Sequence, residues 1–171
     1  MKKLLIFLVL LSFFGCSDML KNKQTLGNFN CPRIFFSSED RVFIDTVANG
    51  NSIDDVSLKA TLNNFAIVEK CHQKDDIAII PLDILIITQP MDKFEDADIS
   101  MPLYAILLDQ KNEVLETQYF MILGSIKKNF ENNAFTETDI TDRLKIITKN
   151  LDISQIVIGF MIDDKKRLLL N

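Results

Sequence analysis

The chain has 171 residues, with 19 basic side chains, 24 acidic ones and a single histidine. A formal net charge of −5 without a basic stripe argues against nucleic acid as a partner. The length is enough for one domain built around one core.

The first sixteen residues read MKKLLIFLVLLSFFGC. Two lysines precede an apolar run from Leu4 to Phe14, broken only by Ser12, and Gly15 stands directly before Cys16. The run falls well short of the roughly 20 residues that span a bilayer and fits the apolar centre of an export signal. The pattern resembles a bacterial lipoprotein signal. That resemblance implies cleavage between Gly15 and Cys16 and acylation of Cys16 by diacylglyceryl and a further chain such as palmitate. Two or more acyl chains anchor a protein stably, at about 0.8 kcal/mol per buried CH₂. Without residues 1–15 the chain keeps 17 basic against 24 acidic side chains, a net −7. Charge therefore gives it no attraction to anionic lipid, and the acyl chains must hold it. Ser17 after the cysteine favours the outer membrane over the inner.

Residues 16–30 read as a flexible tether, polar and weakly patterned; its 14 residues after Cys16 would span about 20 Å on average and about 50 Å at full extension. The folded part is expected over 31–171 as a single β domain. With Cys16 acylated, Cys31 and Cys71 remain as an even pair in an oxidising compartment, where a disulfide is expected. Two free thiols, or a metal pair with His72, are the alternatives. The metal reading lacks a fourth ligand and a short ligand spacing.

Most apolar segments after Cys31 are short, β-branched and bounded by turn residues. Arg33–Phe36 and Val42–Thr46 are strand candidates on either side of the turn-like Ser37–Asp40. Asn49-Gly50 marks a loop. Val56–Leu62 alternates, and Phe65–Cys71 continues it with Phe65, Ile67, Glu69 and Cys71 on one side. Ile77–Thr88 is the strongest segment, with Ala78, Ile80, Leu82, Ile84 and Ile86 forming one apolar face. Pro81 on its other face argues for an edge strand or a bulge. Met101–Leu108, the turn Asp109–Asn112 and Val114–Leu123 read as a hairpin, whose second strand sets Glu116 and Gln118 against Leu115, Tyr119 and Met121. Phe135–Ile140 and Ile156–Ile162 are the last strand candidates. Asp142–Asn150 reads as a short helix or loop, and Asp163–Leu169 as a terminal helix. About eight strands with close turns predict an all-β fold, a disulfide-linked, immunoglobulin-like β-sandwich, with a small β-barrel as the rival.

Cys31-Pro32, Ile67–Cys71, the long apolar strand, the hairpin PLYAILLD with Val114-Leu115 and the closing strand Ile156–Ile162 stand in a particular order. In that order the chain resembles a group of small alphaproteobacterial, Rickettsiales-like envelope lipoproteins. The resemblance covers most of residues 31–162. It implies a lipid-anchored β domain with a disulfide and carries no activity with it. Lys111-Asn112 stands where the turn in that group often has glycine.

No catalytic constellation is visible. His72 lies in a polar stretch with Lys70, Gln73, Lys74, Asp75 and Asp76, and reads as a solvated turn. Asp92, Glu95, Asp96 and Asp98 cluster without the spacing of a calcium loop, and Asp139, Asp142 and Arg143 suggest a local ion pair. The many phenylalanines read mainly as core. Exposure of Phe35, Phe36, Phe94 or Phe130 together would instead mark a partner surface. The expectation is a non-enzymatic, lipid-anchored envelope protein acting through protein–protein contact, without metal or cofactor. The alternative is a periplasmic carrier of an apolar ligand or lipid, with a cavity lined by Ile77–Thr88 and Tyr104–Leu108.

Overall fold

The computed structural model describes residues 29–47, 50–95 and 98–170. They form nine strands: β1 (Arg33–Phe36), β2 (Val42–Thr46), β3 (Val56–Ala66), β4 (His72–Lys74), β5 (Ile77–Pro90), β6 (Asp98–Leu108), β7 (Val114–Ser125), β8 (Thr138–Thr148) and β9 (Gln155–Phe160). A 3₁₀ turn (Ile53–Asp55) precedes β3, and a short helix α1 (Asp164–Leu168), capped by the Asp163 carboxylate, follows β9. The signal and Cys16 lie outside the described residues. Phe29 already packs against the core, two residues ahead of the expected domain start.

The front sheet has the order β1-β9-β6-β7, with β1 parallel to β9 and the other pairs antiparallel. In the back sheet β5 is central. It pairs with β8 along one side, and with β4 and then β3 along the other, while β2 lies outside β3. The architecture is the expected all-β, disulfide-linked pair of sheets. The back sheet curls around the core like half a barrel, and β8 approaches β7 of the front sheet. Gly124 lies against Ile140 there, and a side chain at 124 would push the end of the Ile140 side chain aside.

Period-two alternation explains the core. Ala78, Ile80, Leu82, Ile84 and Ile86 are fully buried, as are Met101, Leu103, Ala105 and Leu107 on the facing strand β6. Each large aliphatic side chain removed from water in this way contributes about 1.5–3 kcal/mol. Cys31 and Cys71 are bonded, with their Cα atoms 5.2 Å apart. The bond ties the entrance of β1 in the front sheet to the entrance of β4 in the back sheet.

Several expectations are corrected. Asp142–Asn150 is not a helix or loop, because β8 runs unbroken through Thr148 in register with β5. Ile140, Leu144 and Ile146 point inward, and Arg143 and Lys145 stand on the solvent side. Phe135 precedes β8 and packs edge-on against Phe94. Residues 67–71 are not strand: β3 ends at Ala66 after a bulge between Leu62 and Asn64. His72 opens the short strand β4 rather than sitting in a turn. Pro81 lies in a central strand, not an edge strand. Its missing N–H is tolerated where one flank of β5 has no partner, since on that side pairing with β4 reaches only as far as Ile79 and pairing with β3 reaches only as far as Asp83. In the hairpin turn Asn112 takes the left-handed conformation, φ 64°, that glycine would otherwise supply. Asp109 Oδ1 accepts from the N–H groups of Lys111 and Glu113 and closes that turn.

Candidate functional site

The two outer faces of the molecule differ in chemistry. On the back sheet, Lys59, Asp83, Asp139, Arg143 and Lys145 stand among the solvent-facing side chains, as expected of an open sheet face. On the front sheet, cross-strand register places Phe35, Val157, Ile106 and Thr117 in one row. Gly159, Tyr104 and Tyr119 form the next, then Pro102 and Met121, then Ser100 and Leu123. These four rows carry no charged side chain; the rows next to them on the same face bring Arg33 at one end and Asp98 at the other.

This face depends on which side of β7 turns inward. The sequence sets Glu116 and Gln118 against Leu115, Tyr119 and Met121; Tyr119 and Met121 meet solvent, while Leu115, beside the bulge at Leu107/Leu108, packs against the core. Tyr119, Met121 and Leu123 are 67%, 55% and 70% exposed. Glu116, Gln118, Phe120 and Ile122 point the other way. The polar pair is accommodated because β8 supplies partners. Thr148 Oγ1 and Asn150 Nδ2 donate to Glu116 Oε2, and Gln118 Nε2 donates to Glu116 Oε1 and to the Ile147 carbonyl. The Thr148 hydroxyl, foremost among these donors, holds the Glu116 carboxyl below the usual carboxylate range.

A groove of about 880 Å³ follows β6 along this face. Its floor is Pro102, Tyr104, Ile106 and Tyr119, and its wall is the segment from Met161 to Arg167 that leaves β9. The wall is fastened at two places. Lys166 Nζ pairs with Asp45 Oδ1 at 2.7 Å, and Arg167 Nη2 pairs with Asp40 Oδ1 at 2.8 Å. The Tyr104 hydroxyl donates to the other oxygen of Asp40, Oδ2, at 2.7 Å. Burial, more than the neighbouring Asp40 carboxylate, raises the Tyr104 phenol above its ordinary pKa, so it stays a neutral donor. These contacts join floor, wall and the β1–β2 turn.

The other residues singled out from sequence stand apart from the groove. His72 is half-buried, with Nδ1 3.1 Å from the Lys70 carbonyl oxygen. Asp98 accepts from the Ser125 hydroxyl at 2.6 Å, Asp92 and Glu95 are exposed, and Asp96 lies outside the described residues. Arg143 makes no local pair with Asp139; it crosses the sheet to Asp83 at 2.7 Å and to Glu69 at 3.3 Å. Phe36 and Phe94 turn inward against Phe65 and Phe135, while Phe35 joins the front face and Phe130 projects from the β7–β8 loop. Ile77–Thr88 supply core rather than groove. One signal for the face was legible: Met101–Leu108 is apolar on both sides, which an ordinary surface sheet is not.

Comparison with protein-family models, with curated proteins and with solved structures found no match.

Proposed function

We propose that this chain is a non-enzymatic lipoprotein of the bacterial envelope, anchored through acylated Cys16, most readily to the outer membrane, and acting through protein–protein contact. The observation that carries the contact role is the uncharged middle of the front sheet's outer face, bounded by Arg33 at one end and Asp98 at the other, set against the mixed charges on the outer face of the back sheet. Contiguous apolar patches of this kind mark interaction sites on exported domains as on others. The polar clusters support the non-enzymatic reading, because Tyr104 with Asp40 and Arg167, and Glu116 with Thr148 and Asn150, are engaged in joining elements of the fold. The Cys31–Cys71 bond agrees with an oxidising compartment. The order of motifs shared with alphaproteobacterial envelope lipoproteins points the same way.

A photo-crosslinking residue at position 121 or 123, read in intact cells, tests the contact face. The expected result is a discrete adduct there and none from position 145 on the back sheet. Equal labelling from both faces would overturn the assignment. Metabolic labelling with a fatty-acid probe, compared with Cys16→Ala, tests the anchor separately.

A further inference from the structure

We propose that the groove along β6 takes an extended, proline-containing apolar peptide segment of a partner protein. The inference deepens the contact reading above and rests on it.

Size argues against a second copy of the chain. The face narrows from four strands at Ile106 to two at Ser100, so at about 4.8 Å spacing over roughly 20 Å its flat footprint is at most about 400 Å². A stable complex takes about 800 Å² from each partner. Openness argues against an acyl chain, since small-ligand sites enclose about 70–90% of their occupant and Tyr119 on the floor is 67% exposed. The floor is also a sheet face and not a sheet edge. Along Leu103–Leu108 the backbone of β6 is paired on both sides, with β7 and with β9, so a peptide cannot add as a further strand there.

An occupant that needs no backbone partners fits these limits. A polyproline II segment has no internal hydrogen bonds and keeps its backbone in water, and it docks in aromatic-lined grooves through its side chains. The floor offers the chain's only two tyrosines, Tyr104 and Tyr119, directly opposite each other on β6 and β7. Pro102 and Met161 extend that surface. At about 3.1 Å per residue, 20 Å accommodates six or seven residues. Lys166 is already paired with Asp45, so shape and aromatic contact, more than charge, select the segment.

The test selects random linear nonapeptides displayed on phage against the full chain, then measures the enriched peptides by fluorescence anisotropy. Enrichment of proline flanked by apolar residues is expected. Tyr119→Ala should weaken binding at least tenfold with an unchanged unfolding midpoint. Tyr119→Phe should stay within about threefold of the parent chain, and Lys145→Ala should have no effect. No enrichment, or binding indifferent to Tyr119→Ala, overturns the proposal. So does a fatty acid that co-purifies with the chain and is lost in Tyr119→Ala. Adducts from position 121 without any selected peptide would overturn the peptide mode while leaving the contact face standing. Failure of both experiments would remove the contact face as well.

Discussion

The Tyr104 hydroxyl reaches Asp40 Oδ2 at 2.7 Å because its ring lies over Gly159, the residue directly opposite it on β9. A Cβ at position 159 would come within 2.5 Å of Tyr104 Oη, 2.6 Å of its Cζ and 2.9 Å of Asp40 Cβ. The glycine is there for close approach, and the hydrogen bond across it fastens the floor of the groove to the β1–β2 turn.

Gly159→Ala should therefore destabilise the domain by about 1–3 kcal/mol through overpacking. Urea unfolding measures it. The cost should shrink when Tyr104 is also truncated to Ala, because the two substitutions act on one contact. Strict additivity would mean that the ring does not lie where described.

The disulfide makes a second expectation. The sequence separation is 40 residues, for which the chain-entropy relation gives about 4 kcal/mol. The double variant Cys31→Ser, Cys71→Ser should lose stability on that scale, read as a lower urea midpoint. The denatured wild-type protein should gain two titratable thiols on reduction.

Glu116 ties acid sensitivity to the β7–β8 seam. Its folded pKa lies below the ordinary value, so the unfolded chain binds a proton more readily. The stabilisation is fully present above the unfolded carboxylate range, about pH 4.3, and is lost as pH falls through the lower folded pKa. Glu116→Gln should flatten the acid limb of the stability–pH curve and leave its alkaline side unchanged in shape. Urea midpoints between pH 2.5 and 7 decide it.

The orientation of β7 can be checked by neighbouring substitutions. Ile122 is fully buried and Met121 is 55% exposed. Ile122→Ala should cost about 2–5 kcal/mol, and Met121→Ala should stay within about 0.5 kcal/mol. The reverse order would put the apolar set of β7 inside after all.

Much of this was legible without the structure, and for identifiable reasons. Ile77–Thr88 has one wholly apolar side, so its inward face follows from alternation alone. Asp109–Asn112 carries its own turn chemistry, and Asp163–Leu169 reads as the last helix. For β8 the same reasoning pointed the wrong way, because the mixed charges of Asp142–Lys145 broke up the apparent strand. For β7 it separated the two sides without saying which meets the core.

By itself, the sequence determined the strand-rich class, most strand positions and the pairable cysteines, because each depends on neighbours in the chain. Only the tertiary structure decided which side of β7 is buried and where the uncharged face lies. A period of two separates the sides of a strand without naming the one that meets the core. That choice rests on partners distant in sequence. Thr148 and Asn150 make Glu116 tolerable inside, β5 holds β8 in register, and Gly159 lets Tyr104 reach Asp40.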